Sequence, residues 1–195
     1  MDGNPVPKTK KYKGELYSET RYAIIQWLER ELPLISGRVI DIGAGNWKIP
    51  RQLMDKSKVK EYKTFDKKVY GSSKNIVDHY GDIQDMPKEW SNQWDTVLCL
   101  EVMECVPNPF KAMEEMHRIL KPGGMLLLSS PFNYRWFGSG SWDDPKQNAK
   151  DVRDYWRITK QGLELLAKDF VKVEVVGFGG TGNHDRYVNC MKAIR

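Results

Sequence analysis

The sequence predicts an α/β fold, a parallel sheet covered by helices on both faces. Short apolar runs alternate along the chain with segments of helical period, and alternating β and α units close into a parallel sheet. One of those runs, Arg38-Val39-Ile40-Asp41-Ile42, opens directly into Gly43-Ala44-Gly45-Asn46, the pattern of a strand breaking through a tight turn into a helix. The 195 residues suit one domain with a core of ordinary size.

Taken in order, residues 1–16 are rich in Pro, Lys and Gly and read as a flexible N-terminal arm ahead of a single domain over 17–195. Ser18 is placed to cap a helix running to about Leu32, with Ile24, Ile25, Leu28 and Leu32 along its apolar face. The first strand spans 38–42, and a helix follows from about Lys48 to Lys56 with Pro50 in its first turn. Glu61-Tyr62-Lys63-Thr64-Phe65-Asp66 is a second strand ending on a carboxylate, the segment from Asn75 to Ile83 holds a third, and Trp94 to Glu101 a fourth. Asn108-Pro109 is an N-cap followed by proline at the first helical position. The helix behind it carries Phe110, Met113, Met116, Ile119 and Leu120 and stops at Pro122-Gly123-Gly124. A fifth strand spans about Met125 to Ser130. Thr159 caps a last helix through Lys168, and strands follow near 170–177 and 186–194.

Bulk properties narrow the function classes. The apolar fraction is 40%, with no run approaching the ~20 residues of a membrane helix. Met1-Asp2-Gly3-Asn4-Pro5 lacks the layout of a signal peptide. Cys99, Cys105 and Cys190 form no C-x-x-C pair, which suits reduced thiols. A cytoplasmic protein without a membrane partner is expected. No His/Cys cluster has metal-ligand spacing, so no metal is expected either. The net charge of +5 admits a solvated basic surface or a polyanion-binding patch. Its lysines, at Lys8, Lys10, Lys11, Lys13 and between Lys56 and Lys68, are interleaved with acids or fall where loops are expected, which favours the solvated surface.

The glycine pair points to a nucleotide-like cofactor, because a backbone without Cβ atoms can approach a ligand closely. Lys48 stands where a dinucleotide fingerprint wants its third glycine, which argues against a nicotinamide dehydrogenase. Asp66 lies roughly 20 residues past the turn, the usual offset for an acid gripping ribose hydroxyls. In this order and spacing, the segments 38–46, 61–66, 75–83, 94–101 and 120–131 resemble class I S-adenosylmethionine-dependent methyltransferases, especially the methyltransferase type 11 branch, over about residues 17–178.

That resemblance implies a three-layer sandwich, a mostly parallel seven-stranded sheet with an antiparallel last strand and helices on both faces. It also implies S-adenosyl-L-methionine as cofactor, leaving as S-adenosyl-L-homocysteine, seated beyond the carboxyl ends of the strands. Backbone amides around Gly43, Ala44 and Gly45 would receive its carboxylate. Asp66, with Lys67 beside it, would take the ribose, and Asp82 and Ile83 the adenine, with Asp78 and Asp85 as alternatives to Asp82. Leu100 and Glu101 would lie beside the methionine portion and the sulfonium, and Tyr17 would close over the cofactor. Asp41 either orders the glycine loop through backbone hydrogen bonds or touches the ligand. The plainer readings are a mere tight turn for the glycines and a solvated strand-end acid for Asp66.

Two departures from the family pattern bear on the chemistry. Trp47 stands at the third glycine of G-x-G-x-G, where a bulky ring narrows the cofactor mouth or joins the acceptor pocket. Met103-Glu104-Cys105-Val106 replaces a leucine-glutamate-histidine-valine stretch, so the histidine that can orient or deprotonate an acceptor is missing. A base, if one is used, must come from elsewhere, and two segments begin on the cofactor side of the sheet. The first is a lid-like insertion over about 131–158, too long for an ordinary connection. It holds Tyr134, Arg135, Trp136 and Phe137 and ends in Asp154-Tyr155-Trp156-Arg157-Ile158-Thr159, similar to a run that borders the acceptor site in this branch. Its rings either line the pocket or staple the loop, and Arg157 or Arg135 could clamp an anion. The second, Gly177 to Arg186, brings His184 beside Asp185, either a base or a surface turn; His79 and His117 read as structural.

The catalytic candidates are therefore His184, Glu101, Tyr134 and Arg157. The expected reaction is methyl transfer to an O or N atom of a small-molecule acceptor, a glycan or nucleotide-sugar intermediate among the candidates. A nucleic-acid methyltransferase is the enzymatic rival. However, Leu100-Glu101-Val102-Met103 occupies the place of the N/D-P-P-Y turn that clamps a flipped base, and no Pro-Cys occurs. An RNA ribose methylator is compatible with both absences. A non-catalytic cofactor-binding module is the remaining alternative. Oligomeric state and the acceptor's identity are not encoded in any motif read here.

Overall fold

The computed structural model describes residues 9–67, 77–134, 153–179 and 187–195. Residues 9–16, the second half of the expected flexible arm, instead form a hairpin together with Tyr17 and Ser18. Strand β1 (Thr9–Tyr12) pairs antiparallel with β2 (Glu15–Ser18). Lys13 and Gly14 between them both have positive φ, as a two-residue type I′ turn requires. The hairpin is tied to helix α1 (Glu19–Glu31) by a 2.7 Å hydrogen bond from the Tyr12 hydroxyl to Glu29. Ser18 caps that helix by accepting from the Arg21 amide.

The main sheet contains β3 (Gly37–Ile42), β4 (Val59–Asp66), β5 (His79–Tyr80), β6 (Trp94–Leu100), β7 (Leu120–Pro131), β8 (Lys172–Phe178) and β9 (Val188–Ile194). Their order across the sheet is β5-β4-β3-β6-β7-β9-β8. The β5-β4-β3-β6-β7 pairings are parallel, and β9 runs antiparallel to both its neighbours. The expected seven-stranded sheet with an antiparallel last strand is what forms. Strand β3 pairs with β4 on one side and β6 on the other, so the chain reverses its direction of winding at β3. Ligands of open α/β sheets bind in the crevice at such a switch point.

Alternation along the central strands loads both faces. Val39, Leu98, Leu100 and Leu127 pack with Ala23, Ile24, Trp27 and Leu28 of α1. Ile40, Ile42, Val97, Cys99, Leu126 and Leu128 face the other way. They meet helix α3 (Pro109–Ile119) through Ala112, Met113, Met116 and Ile119, and helix α4 (Lys160–Leu166) through Leu163 and Leu166. Each such aliphatic side chain contributes ~1.5–3 kcal/mol on leaving water.

Three elements are shorter than the sequence suggests. Helix α2 (Ile49–Leu53) ends before Lys56, because the backbone turns extended at Met54. The third strand of the winding reduces to the two residues of β5. Helix α3 stops at Ile119, ahead of Pro122, because Leu120 already pairs with Trp94 as the first residue of β7. Among the described residues no helix is long and apolar enough to cross a membrane.

Candidate functional site

The glycine loop after β3 is locked to the tip of β4. The Gly43 amide donates to the Phe65 carbonyl at 2.7 Å, and the Gly45 amide donates to Asp66 Oδ2 at 3.0 Å. Gly43 has φ +69°, and a Cβ there would lie 2.2 Å from Val102 Cγ2, so no other residue fits. Asp66 also accepts from the Lys67 amide at 2.7 Å through Oδ1. Burial raises the Asp66 carboxyl above its ordinary value, and the two amides pull it back toward the charged form. Each oxygen keeps a lone pair for a further donor, as a ribose hydroxyl would be. The Lys67 side chain itself is exposed, and Ala44 is buried with its carbonyl turned back onto the Trp47 amide.

Asp41 behaves differently from the loop-ordering role considered for it. Its carboxyl, 2% exposed, accepts a 2.6 Å hydrogen bond from the Tyr62 hydroxyl rather than from a loop amide. Asp66 is the acid that orders the loop. Burial, helped by the charge of Asp66, pushes Asp41 up to about 7 against the pull of the Tyr62 hydroxyl.

At the neighbouring tip, Leu100 is buried and Glu101 follows with φ +56°, a left-handed conformation that a glutamate seldom adopts. Its amide donates to the Ser129 carbonyl at 3.0 Å, and the Ser129 hydroxyl donates to Glu101 Oε1 at 2.9 Å. Burial raises the Glu101 carboxyl to about 7, opposed by the Ser129 hydroxyl and by the charges of Arg21 and Arg157. The turn after it, 103–105, carries Glu104, only 3% exposed, whose acid is held well above the usual carboxylate range by burial and by Glu101. Its backbone carbonyl accepts from the amides of Tyr155 and Trp156, and the Trp156 indole donates to the Val106 carbonyl at 2.7 Å. The end of the insertion is thereby stapled to this turn, while Tyr155 and Trp156 keep much of their surface exposed.

Arg157 is already engaged. Both terminal nitrogens grip the buried Asp154 carboxylate, the second at 2.6 Å, and Nε donates to the Tyr134 carbonyl at 3.2 Å. Tyr134 thus meets this cluster through its main chain, and the expectation of Arg157 as an anion clamp yields to a structural ion pair. His184, Asp185, Arg135, Trp136 and Phe137 lie outside the described residues. His117 packs edge-on against Phe170 at a ring separation of 5.0 Å, away from the strand tips.

On the adenine side, Asp82 is exposed and its Oδ1 accepts from the amide and side-chain nitrogen of Gln84 at 2.8 and 3.0 Å. Ile83 is buried against the core. Asp78, one of the alternatives to Asp82, is tied to Thr64 instead, accepting from its amide and hydroxyl at 2.8 Å each. The Tyr17 hydroxyl donates to Glu15 at 2.5 Å. Tyr17 lies in β2, and the following helix α1 contributes Arg21, whose guanidinium lies 5.4 Å from the Trp47 ring centre and lowers the Glu101 acid. Arg21 escaped the sequence reading because it belongs to a helix face and to no motif.

Two positive-φ glycines, a carboxylate anchored at the next strand tip and amides clustered in the turn suit a nucleotide-bearing cofactor. Among the described residues no His/Cys/Asp/Glu group is arranged to hold a metal ion. Comparison with known proteins agrees. A family model described as a methyltransferase domain matches residues 17–172. The ubiquinone biosynthesis O-methyltransferase of Dechloromonas aromatica is 25% identical over 148 residues, covering 70% of this chain and 64% of that protein. Its namesake in Pseudomonas aeruginosa is 26% identical over 114 residues, covering 54% and 49%. The chain therefore spans about half to just under two thirds of the length of these curated relatives. Among solved structures, a Thermotoga maritima S-adenosylmethionine-dependent methyltransferase, described as a possible histamine N-methyltransferase, superposes with a TM-score of 0.60 over 90% of each chain at 18% identity. One from Mesorhizobium loti superposes at 0.61 over 87% of this chain and 96% of that one, at 17% identity. These last likenesses speak for the fold, and the family model, which matches most of the chain, speaks for the lineage. The chain belongs to the class I, Rossmann-like methyltransferases that use S-adenosyl-L-methionine.

Proposed function

We propose that the protein moves a methyl group from S-adenosyl-L-methionine to an oxygen or nitrogen of a small molecule, with Glu101 accepting the proton the acceptor loses. The observation that carries this reading is Glu101 itself. It sits at the tip of β6 in a left-handed backbone conformation, with its carboxyl near 7 and oriented by Ser129. Backbone outliers of this kind cluster at active sites, and a base works best when its pKa lies near the operating pH.

The cofactor supplies an already activated methyl group, so the protein's part is largely placement. Gly43 and Gly45 would hold the cofactor's carboxylate and Asp66 its ribose, while Arg21, above Trp47, favours the charged form of Glu101. Alignment of an acceptor at attack distance supplies ~7–11 kcal/mol of barrier reduction, and a positioned base adds roughly 10²–10⁴-fold. The curated relatives named above carry O-methyltransferase names, which supports a hydroxyl as the first acceptor class to try.

The test is formation of S-adenosylhomocysteine by the purified chain, offered neutral phenols, sugars and alkylamines one at a time. Turnover with at least one hydroxyl or amine acceptor, and its loss in Glu101→Gln with cofactor affinity retained, is the expected result. Tight cofactor binding with no turnover on any acceptor class would return the protein to a non-catalytic cofactor-binding role.

A further inference from the structure

Two buried polar atoms at the tips of β6 and β7 have no hydrogen-bond partner among the described residues: Glu104 Oε2 and Ser130 Oγ. Such atoms are rare, because leaving one unmade costs ~1–3 kcal/mol. They belong to the same end of the sheet. Leu100 pairs with Ser129, so Ser130 is the next residue along β7 opposite Glu101, and Glu104 sits one turn beyond Glu101. Arg157 favours the charged form of Glu104, but its guanidinium is bonded to Asp154. The other titratable groups acting on it are Glu101 and Asp154.

The charge of Glu101 raises the Glu104 acid and burial raises both, so the pair favours keeping one proton. Arg157 favours the charge of both, but Glu101 also has the Ser129 hydroxyl donating to it and the charge of Arg21, whereas Glu104 has no hydrogen bond to its Oε2 among the described residues. The proton therefore resides on Glu104. A neutral carboxylic acid is a hydrogen-bond donor, and a serine hydroxyl donates or accepts as required.

We propose that Glu104 and Ser130 form the polar subsite that orients the methyl acceptor, Glu104 donating to the reacting heteroatom while Glu101 takes its proton. This rests on the acceptor-side reading of Glu101 given above. The acceptor's hydroxyl oxygen loses its proton to Glu101 and uses one lone pair to bond the incoming methyl carbon. Its second lone pair is held by Glu104, and the former S–C pair stays on the sulfur of the product S-adenosylhomocysteine. Such a subsite takes a neutral hydroxyl in preference to an amine, whose single lone pair cannot both attack and accept from Glu104, and disfavours a phosphate or carboxylate beside Glu101.

The test uses the full chain as wild type, Glu104→Gln, Glu104→Leu and Ser130→Ala. Glutamate labelled with ¹³C at the side-chain carboxyl is titrated by NMR, and S-adenosylhomocysteine formation is measured with whichever phenol or sugar the wild type accepts. The Glu104 signal should stay that of the acid through neutral pH. Glu104→Gln, which keeps a neutral donor, should retain most of kcat/KM, while Glu104→Leu and Ser130→Ala should lose about tenfold or more, the scale of a lost hydrogen bond, with S-adenosylhomocysteine affinity unchanged and the melting temperature no lower than wild type. A Glu104 signal that titrates like an ordinary glutamate overturns the proposal even if no acceptor is found. So does wild-type kcat/KM in both Glu104→Leu and Ser130→Ala, or a Glu104→Gln as impaired as Glu104→Leu. Wild-type inactivity beside a persistently protonated Glu104 would count against the base role of Glu101 and leave the neutral acid standing.

Discussion

Replacing Asp66 by alanine separates a ligand-binding acid from a loop staple. In the free protein the carboxylate accepts from the Gly45 amide at 3.0 Å and the Lys67 amide at 2.7 Å. Hydrogen bonds to a charged group are worth roughly 1.5–3 kcal/mol, and ordinary ones about 1 kcal/mol. Lys67 is adjacent in sequence and its amide is open to water, so most of the cost to the free fold comes from Gly45, about 1 kcal/mol, or roughly 2–4 °C in melting temperature for a chain of this size. A bound ribose would lose its charged acceptor as well, a further ~1.5–3 kcal/mol, which is about a 10- to 100-fold rise in Kd. Calorimetric titration with S-adenosylhomocysteine reads the second quantity and scanning calorimetry the first. A melting temperature that falls while Kd stays at the wild-type value would show that Asp66 serves the loop alone, and the assignment of the cofactor's ribose to this strand tip would fail.

Other perturbations follow from the same geometry. Gly43→Ala must place a methyl 2.2 Å from Val102 Cγ2 in a left-handed backbone; the backbone alone costs ~1–2 kcal/mol, so a melting temperature lower by about 4 °C or more is expected, and an unchanged one refutes the packing argument. Glu101 and Asp41 are both lifted to about 7 from ordinary carboxylate values, so the unfolded chain releases these protons first and stability should fall as pH rises from about 5 to 7 and level off above. Glu101→Gln should remove part of that slope in denaturant melts and gain stability only on the alkaline side; a Gln variant with the wild-type pH dependence argues against the raised acid. In the active enzyme, turnover should climb with pH through about 7 as Glu101 loses its proton, and this limb should vanish in the same variant. Arg157→Met leaves the buried Asp154 carboxylate without its two-pronged partner and should cost about 2 kcal/mol, most of it recovered by adding Asp154→Asn; equal melting of the single and double variants would refute the pairing as the source.

The parts of the site that could be read from the sequence are those whose chemistry is contiguous. Gly43 and Gly45 directly follow an apolar run, and Asp66 closes the next one, so the strand–turn–helix rule places them without knowledge of packing. Arg21, Glu104 and Ser130 had no such signal. Arg21 matters because α1 lies across the glycine loop and stacks it over Trp47, a tertiary fact. Glu104 and Ser130 stand out for what they lack, a partner, and that is a property of the packed interior alone. The hairpin carries little sequence signal for a local reason: its strands are four residues each, largely polar, and the cue lies in Lys13-Gly14 at the turn. Asp41 was drawn toward the loop by proximity in sequence, whereas its partner Tyr62 lies one strand away and 21 residues on.

Three acids at adjacent strand tips illustrate why motif and role part company. Asp41 accepts from the Tyr62 phenol, and burial lifts its carboxyl to about 7. Asp66 receives two main-chain amides, which favour its charge and leave lone pairs for hydroxyls. Glu101 receives one serine hydroxyl, enough to aim the carboxyl but too little to offset its burial, so it can exchange a proton near pH 7. The number and kind of donors that the fold turns toward each carboxyl distinguishes the three, and on the proposed function Asp66 would meet the ribose and Glu101 the leaving proton. With Cys105 at the place where the resembled family carries a histidine, Glu101 would supply a group of similar basicity from a residue that is ordinarily a weak base, because burial lifts its carboxyl to about 7.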